Sequence, residues 1–183
     1  MIYVRKTVVN RFREFADFNI IQYGHETCSP GHSIGNFVRK NYLIHYVHKG
    51  KGVFRSGGKE YELKANDAFF IYPEQITYYE ADKTQPWEYS WVEFNGTGVS
   101  KYLSATTLTE ETPVIINNVK AEAPIIKLTE KDTENPYELM GCLYDFLGAL
   151  VTDKPKSGSM ADEYVKAAIS YIHTFYYHTN INV

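Results

Sequence analysis

The chain has 183 residues, 44% hydrophobic and 22% charged, with a net charge of −3. That mixture fits one globular domain, or one domain with a small appendage, and excludes a fibrous or disordered chain. It carries no basic block or stripe, which excludes for this chain by itself the electrostatic footprint of a nucleic-acid binder.

The opening MIYVRKTVVNRFREF has no apolar core of the kind a secretion signal needs, so the expected location is cytoplasmic. No apolar run approaches the roughly 18 residues of a membrane span, so no membrane partner is expected. Residues 1–17 read as an N-terminal arm. From 18 onward the pattern is β: FNIIQYGHET, YLIHYVHKG, GVFRS, KEYELK, AFFIY, ITYYEA and WEYSWVEFN are short alternating runs separated by turn residues. Gly57-Gly58 supplies two residues free to take positive φ, which suits a tight hairpin. Short strands at this spacing predict a β-sandwich or barrel over 18–118. In the run 87–94, Trp87, Tyr89, Trp91 and Glu93 share one face.

After Gly98 the character changes. VSKYLSAT reads as a short helix and PVIIN as a further strand. A longer helix is predicted from Asn135 as N-cap and Pro136 at the first helical position. Met140, Leu143, Leu147 and Leu150 recur at helical spacing and form one apolar face within a helical segment, 119–151. That face serves either as a dimer contact or as packing against the barrel. Residues 152–160 read as a polar linker, and 161–183 as one more amphipathic helix.

Several chemical motifs are weak. Gly31-His32-Ser33-Ile34-Gly35 has the letters of a hydrolase nucleophile elbow, but a strand follows where a helix is required, so a surface turn is expected. Cys28 and Cys142 match no metal-ligand spacing and read as free thiols. His45 and His48 lie three apart on one strand, point to opposite faces, and cannot share one ion without a bulge. No metal and no cofactor is therefore expected. Tyr79, Tyr89, Trp87 and Trp91 can line one interior. With Glu93, His45, His32 and Arg39 available nearby, they suit a wet small-molecule pocket of apolar walls and convergent polar groups.

The barrel pattern resembles the cupins. More specifically, the run 42–54, the Lys64–Pro73 turn, Pro86–Gly96 and the segment Cys28–Gly35 with Arg39 resemble the N-terminal effector-binding and dimerisation domain of AraC-type transcription regulators, in the branch that controls sugar operons. The resemblance implies a mainly β, cupin-like barrel followed by an α-helical dimerisation segment. It implies a homodimer that senses a small-molecule effector, with a sugar first in line, and performs no catalysis. It implies that DNA is bound only through a C-terminal domain of which 161–183 is the first helix. It also implies ligand-facing positions: Phe18 and Thr27 on the first strand, Tyr79 after the proline corner, Trp91, and Tyr89 where the arabinose-binding member has a histidine. His32 and Arg39 stand as candidates for the polar partner. The alternatives of another class are a metal-dependent cupin enzyme and a non-sensing dimerisation module.

Overall fold

In the computed structural model, which describes residues 5–152, the alternating runs become two antiparallel sheets. The strands are β1 (Arg5–Val9), β2 (Asn19–Thr27), β3 (Ser33–Val38), β4 (Tyr42–Lys49), β5 (Lys51–Ser56), β6 (Lys59–Lys64), β7 (Ala68–Ile71), β8 (Ile76–Ala81), β9 (Glu88–Asn95) and β10 (Val114–Ile115). One sheet has the order β1-β2-β9-β4-β7-β10, and the other β3-β8-β5-β6. The cupin-like double-sheet barrel implied by the sequence is the architecture observed. Three helices follow or interleave: α1 (Val99–Ser104), α2 (Glu122–Glu130) and α3 (Pro136–Ala149). No helix among the described residues is long and apolar enough to cross a membrane.

Turn chemistry fixes the registers. Gly57 and Gly58 take φ of 56° and 75°, the double positive-φ requirement of the β5–β6 hairpin. Asn66 takes φ of 71° between β6 and β7. Asp67 then ties three segments by accepting from Lys64 N at 2.8 Å and Asn117 N at 2.9 Å.

The six-stranded sheet is buried on both faces, so there are two apolar layers. Between the sheets lie Leu43, Val47, Phe54, Leu63, Phe69, Ile71, Tyr79, Trp87, Tyr89 and Trp91. On the other face, Ile20, Tyr23, Ile44, Tyr46, Val92 and Phe94 pack under α2 and α3. Strand β9 serves both layers because its alternate residues point to opposite sides.

Two strands depart from the sequence reading. Part of the predicted arm is strand β1, which pairs with β2 from Arg5↔Glu26 to Val9↔Gln22. It is largely exposed, and an edge strand of charged residues shows no buried-strand periodicity. Strand β3 is another exposed run. Helix α2 falls inside the predicted helical segment, and its Pro124 sits in the first turn, where the missing N–H costs no hydrogen bond.

The stripe Met140, Leu143, Leu147 and Leu150, read as either a dimer contact or packing against the barrel, is taken up inside the chain: the exposures are 7%, 0%, 2% and 0%. The physical reason is the second face of the sheet. Its apolar side chains need a cover, and burying each leucine there is worth about 1.5–3 kcal/mol relative to water. Helix α3 starts as predicted, with Asn135 Oδ1 accepting from Tyr137 N at 3.0 Å and Pro136 at the first position. Asn135→Ala is expected to lower stability by about 1 kcal/mol in urea unfolding.

Candidate functional site

Residues on the inward faces of β2, β4, β8 and β9 enclose a small cavity. It measures about 30 Å³ and is walled by Leu43, His45, Tyr79, Tyr89 and Trp91, with Arg5, Gln22, Ile34 and Arg39 at its rim. Those four rim residues also line an open cleft of about 580 Å³ that adds Phe37, Val38, Lys40, Asn41 and Glu93. The cavity and the cleft thus adjoin across these four side chains, narrow inside and wide outside.

The inner wall is aromatic and rigid. The ring of His45 stacks on Phe69 at 4.4 Å and 7°, and meets Tyr89 edge-on at 4.9 Å. Tyr79 lies 4.9 Å from the His45 ring. Burial, and next the Arg39 and Arg5 charges, hold His45 well below the ordinary histidine range, so its imidazole is neutral at pH 7. Its Nδ1 has no hydrogen-bond partner. Burial pushes the Tyr79 hydroxyl up to about 12, with Arg39 pulling the other way. Burial likewise raises Tyr89, whose hydroxyl donates to Glu26 Oε2 at 3.0 Å. Trp91 is 4% exposed. Gly24 faces it, and a Cβ there would come within 2.9 Å of the indole and 2.1 Å of Lys6 O. The bare backbone at 24 therefore lets β1, β2 and Trp91 close together.

The mouth is polar. Glu93 accepts from Gln22 Nε2 at 2.5 Å and from Asn41 Nδ2 at 2.8 Å. Arg5 Nε lies 3.8 Å from Glu26 Oε2, while Arg39 is in no ion pair among the described residues. A donor-rich, aromatic-floored depression of this kind can bind a polyhydroxylated molecule by stacking its C–H face and bonding its hydroxyls.

The structure gathers His45, Tyr79, Tyr89, Trp91, Arg39 and Glu93 around this depression. His32 stands beside it, with Nε2 3.3 Å from Glu26 Oε1. Phe18 and Thr27 are not there. Phe18 packs on the helix side against Phe94 at 5.9 Å and Tyr144 at 5.5 Å. Thr27 follows the inward Glu26, so strand alternation turns it to the opposite face. A register shift between Ile20 and Gln22 separates the alternation at the start of β2 from that at its end. His48 looks outward, away from His45, and its Nε2 bonds Ser90 Oγ at 2.8 Å.

Sequence reasoning missed Arg5, Gln22 and Asn41. Gln22 was findable, because it shares strand parity with Gly24 and Glu26. Arg5 was not, because its strand was read as an arm. The residues able to hold a metal ion, Glu26, Cys28 and His32, were also missed as a group. The predicted linker at 152–160, apart from Thr152, and the helix at 161–183 lie outside the described residues.

Among curated proteins, the chain is 28% identical to the Msm operon regulatory protein of Streptococcus mutans over 92% of its length and 66% of that protein. It is 36% identical to the raffinose operon transcriptional regulatory protein RafR of Pediococcus pentosaceus, over 58% of the chain and 38% of that protein. It is 26% identical to the lactose operon transcription activator of Staphylococcus xylosus, over 90% of the chain and 63% of that protein. The chain thus spans less than two thirds of the length of these relatives. Among solved structures, a Cupin 2 conserved barrel protein from Salinispora arenicola matches at a TM-score of 0.42 and 16% identity, covering 56% of this chain and 83% of that one. Residues 19–167, which carry the barrel and the helices over it, match the AraC-like ligand binding domain, and the chain belongs to that family.

Proposed function

We propose that this chain is the sugar-sensing and dimerisation part of a cytoplasmic transcription regulator of carbohydrate-utilisation genes. The observation that carries the reading is the aromatic cavity at Trp91 adjoining, through Arg39 and Gln22, a polar cleft that includes Glu93. The sugar operons in the relatives' names support a sugar as the effector. DNA would be bound by a domain other than the barrel, and the effector would leave unchanged.

The inner cavity, at about 30 Å³, is well below the roughly 300 Å³ of a small-molecule site. A sugar must therefore seat in the cleft and push the rim apart, or select a conformation in which the rim has opened. Arg5 is the movable piece: its side chain is 54% exposed and its strand is held on one side only. Beyond β1 the chain runs onto α3, where Phe15 meets Tyr137 at 5.3 Å and Tyr144 bonds Asp17. Displacing Arg5 would shift this segment and so bias α3. Such a shift requires the effector to interact differently with the two conformations.

With its leucine stripe buried, α3 offers a different face to a second copy. Tyr137, Gly141, Tyr144, Gly148 and Val151 are exposed at spacings of four and three residues. Space around a Cβ at Gly141 and at Gly148 is open to 4 Å. Two such faces would set tyrosine over glycine in a helix pair. Gly141→Glu is expected to yield monomers in analytical ultracentrifugation while leaving the thermal unfolding of the barrel within a few degrees.

The direct test is a thermal-shift panel of mono- and oligosaccharides. A ligand at 100 times its Kd adds about 2.7 kcal/mol of stability. A saturable shift with one sugar class supports the reading. Silence across the panel, or turnover of any sugar, overturns it.

A further inference from the structure

Beside Tyr89, strand β2 and the turn after it bring three metal-binding side chains together. Ligand atoms of Glu26, Cys28 and His32 all lie within 4.8 Å of one another. Glu26 is 7% exposed and Cys28 0%. The local sequence explains the convergence. Glu26 and Cys28 are two residues apart on extended chain and so share its inward face. The chain then turns at Gly31, with φ of 70°, and His32 N donates to Ser29 O at 3.0 Å. That turn brings the imidazole back over the strand end. Two backbone bonds hold the frame: Cys28 N donates to Trp87 O at 2.8 Å, and Ala81 N donates to His32 O at 2.9 Å.

One atom in this frame lacks a partner. His32 Nε2 is 3.3 Å from Glu26 Oε1, but off the direction of a hydrogen bond, and it is buried with no other partner among the described residues. A buried ring nitrogen without a bond is costly unless something occupies the space it faces.

We propose that Glu26, Cys28 and His32 form a binding site for a divalent transition metal of the zinc class. The donor set is sulfur, nitrogen and oxygen. That suits a borderline ion such as Zn²⁺ or Co²⁺ and disfavours Mg²⁺ and Ca²⁺, which take oxygen ligands. Metal–ligand bonds of about 2.0–2.3 Å in a tetrahedron put donor atoms about 3.3–3.8 Å apart, a spacing that Glu26 Oε1 and His32 Nε2 already meet at 3.3 Å. Three protein ligands leave a fourth position for water or an outside donor. Tyr89 already orients the carboxylate through its bond to Oε2.

Binding exchanges a proton for the metal. Cys28 is buried, and a thiol must release its proton to ligate a metal. The S–H bond breaks as the S–metal bond forms, and the proton leaves to solvent, so affinity rises with pH. Arg5, 3.8 Å from Glu26 Oε2, is the cation that neutralises the carboxylate when no metal is present. A dication would displace it by like-charge repulsion. The metal site would then act on the same arm residue as the effector cleft, from the other side of Glu26.

The test is a Co²⁺ titration of the whole chain in a Cys142→Ser background. Cys142 is a buried residue of α3 in the helix-side layer, away from the site, so its loss leaves the site intact. The expected result is a near-ultraviolet thiolate-to-cobalt band with intense tetrahedral visible bands, saturating at one ion per chain and erased by Zn²⁺. Adding Cys28→Ser should remove the band, and His32→Gln should weaken binding sharply. His48→Gln, on the outer face, should change nothing. A missing band in the Cys142→Ser protein overturns the site, whatever the other variants do. A band that survives Cys28→Ser overturns it as well. Neither outcome depends on the sugar panel, which is run in chelator.

Discussion

Trp91→Phe is expected to leave the chain folded and to abolish or severely weaken effector binding. Trp91 is 4% exposed on the inward face of β9, so truncation to alanine would open a cavity at a cost of about 3–5 kcal/mol. That is a large share of the roughly 5–15 kcal/mol available to a domain of this size, and loss of binding in Trp91→Ala would then be ambiguous. Phenylalanine keeps an apolar ring in the layer but removes the wider indole face and its N–H. Arg39→Ala makes the complementary cut. Its side chain lies at the junction of cavity and cleft and has no ion-pair partner among the described residues, so removing it should cost binding but little stability. Calorimetric titration of both variants, with urea unfolding alongside, separates the roles. Unimpaired binding in both would remove the depression from consideration as the effector site.

Below about pH 6.5 the chain is expected to lose stability as pH falls. Burial holds His45 well below the ordinary range, so the native state refuses a proton that the unfolded chain accepts near pH 6.5. The unfolded state therefore binds more protons in that window, and stability rises with pH. The slope approaches about 1.4 kcal/mol per pH unit for a fully refused proton and vanishes above the unfolded pKa. His48 is also lowered, by burial first and His25 next, with Glu122 and Glu88 opposing. Asp17, Asp82 and Glu138 are shifted downward and lose their contribution only at more acidic pH. His45→Phe retains a ring to stack on Phe69 and should flatten the slope between pH 5 and 6.5. An unchanged slope in that variant would mean that His45 is protonated in the native state.

What the sequence made legible follows from periodicity. Trp87, Tyr89 and Trp91 could be assigned to one face of β9 because strand alternation is strict over that run. The Gly57-Gly58 turn and the Asn135 cap were readable because each is a local requirement. The failures have long-range causes. Leu143 and Leu147 show a helical stripe, but the stripe does not reveal whether a sheet or a second chain covers it. Phe18 and Thr27 were placed by resemblance, and the register shift in β2 carries both to the helix side of the sheet instead of the inward one. Arg5 belongs to an exposed edge strand with no pattern to read. The Glu26–Cys28–His32 group needed the fold of a four-residue turn, which spacing rules for metal ligands do not describe.

The central claim is that an effector sits on Trp91 and moves the rim at Arg5 and Arg39. The most direct measurement is a tryptophan fluorescence titration of Trp87→Phe protein, in which Trp91 is the sole indole, against raffinose and related oligosaccharides. The account predicts a saturable change in Trp91 emission with one sugar class, lost in Arg39→Ala and altered in Arg5→Ala. Emission that stays constant while calorimetry records sugar binding would place the effector elsewhere and contradict the account.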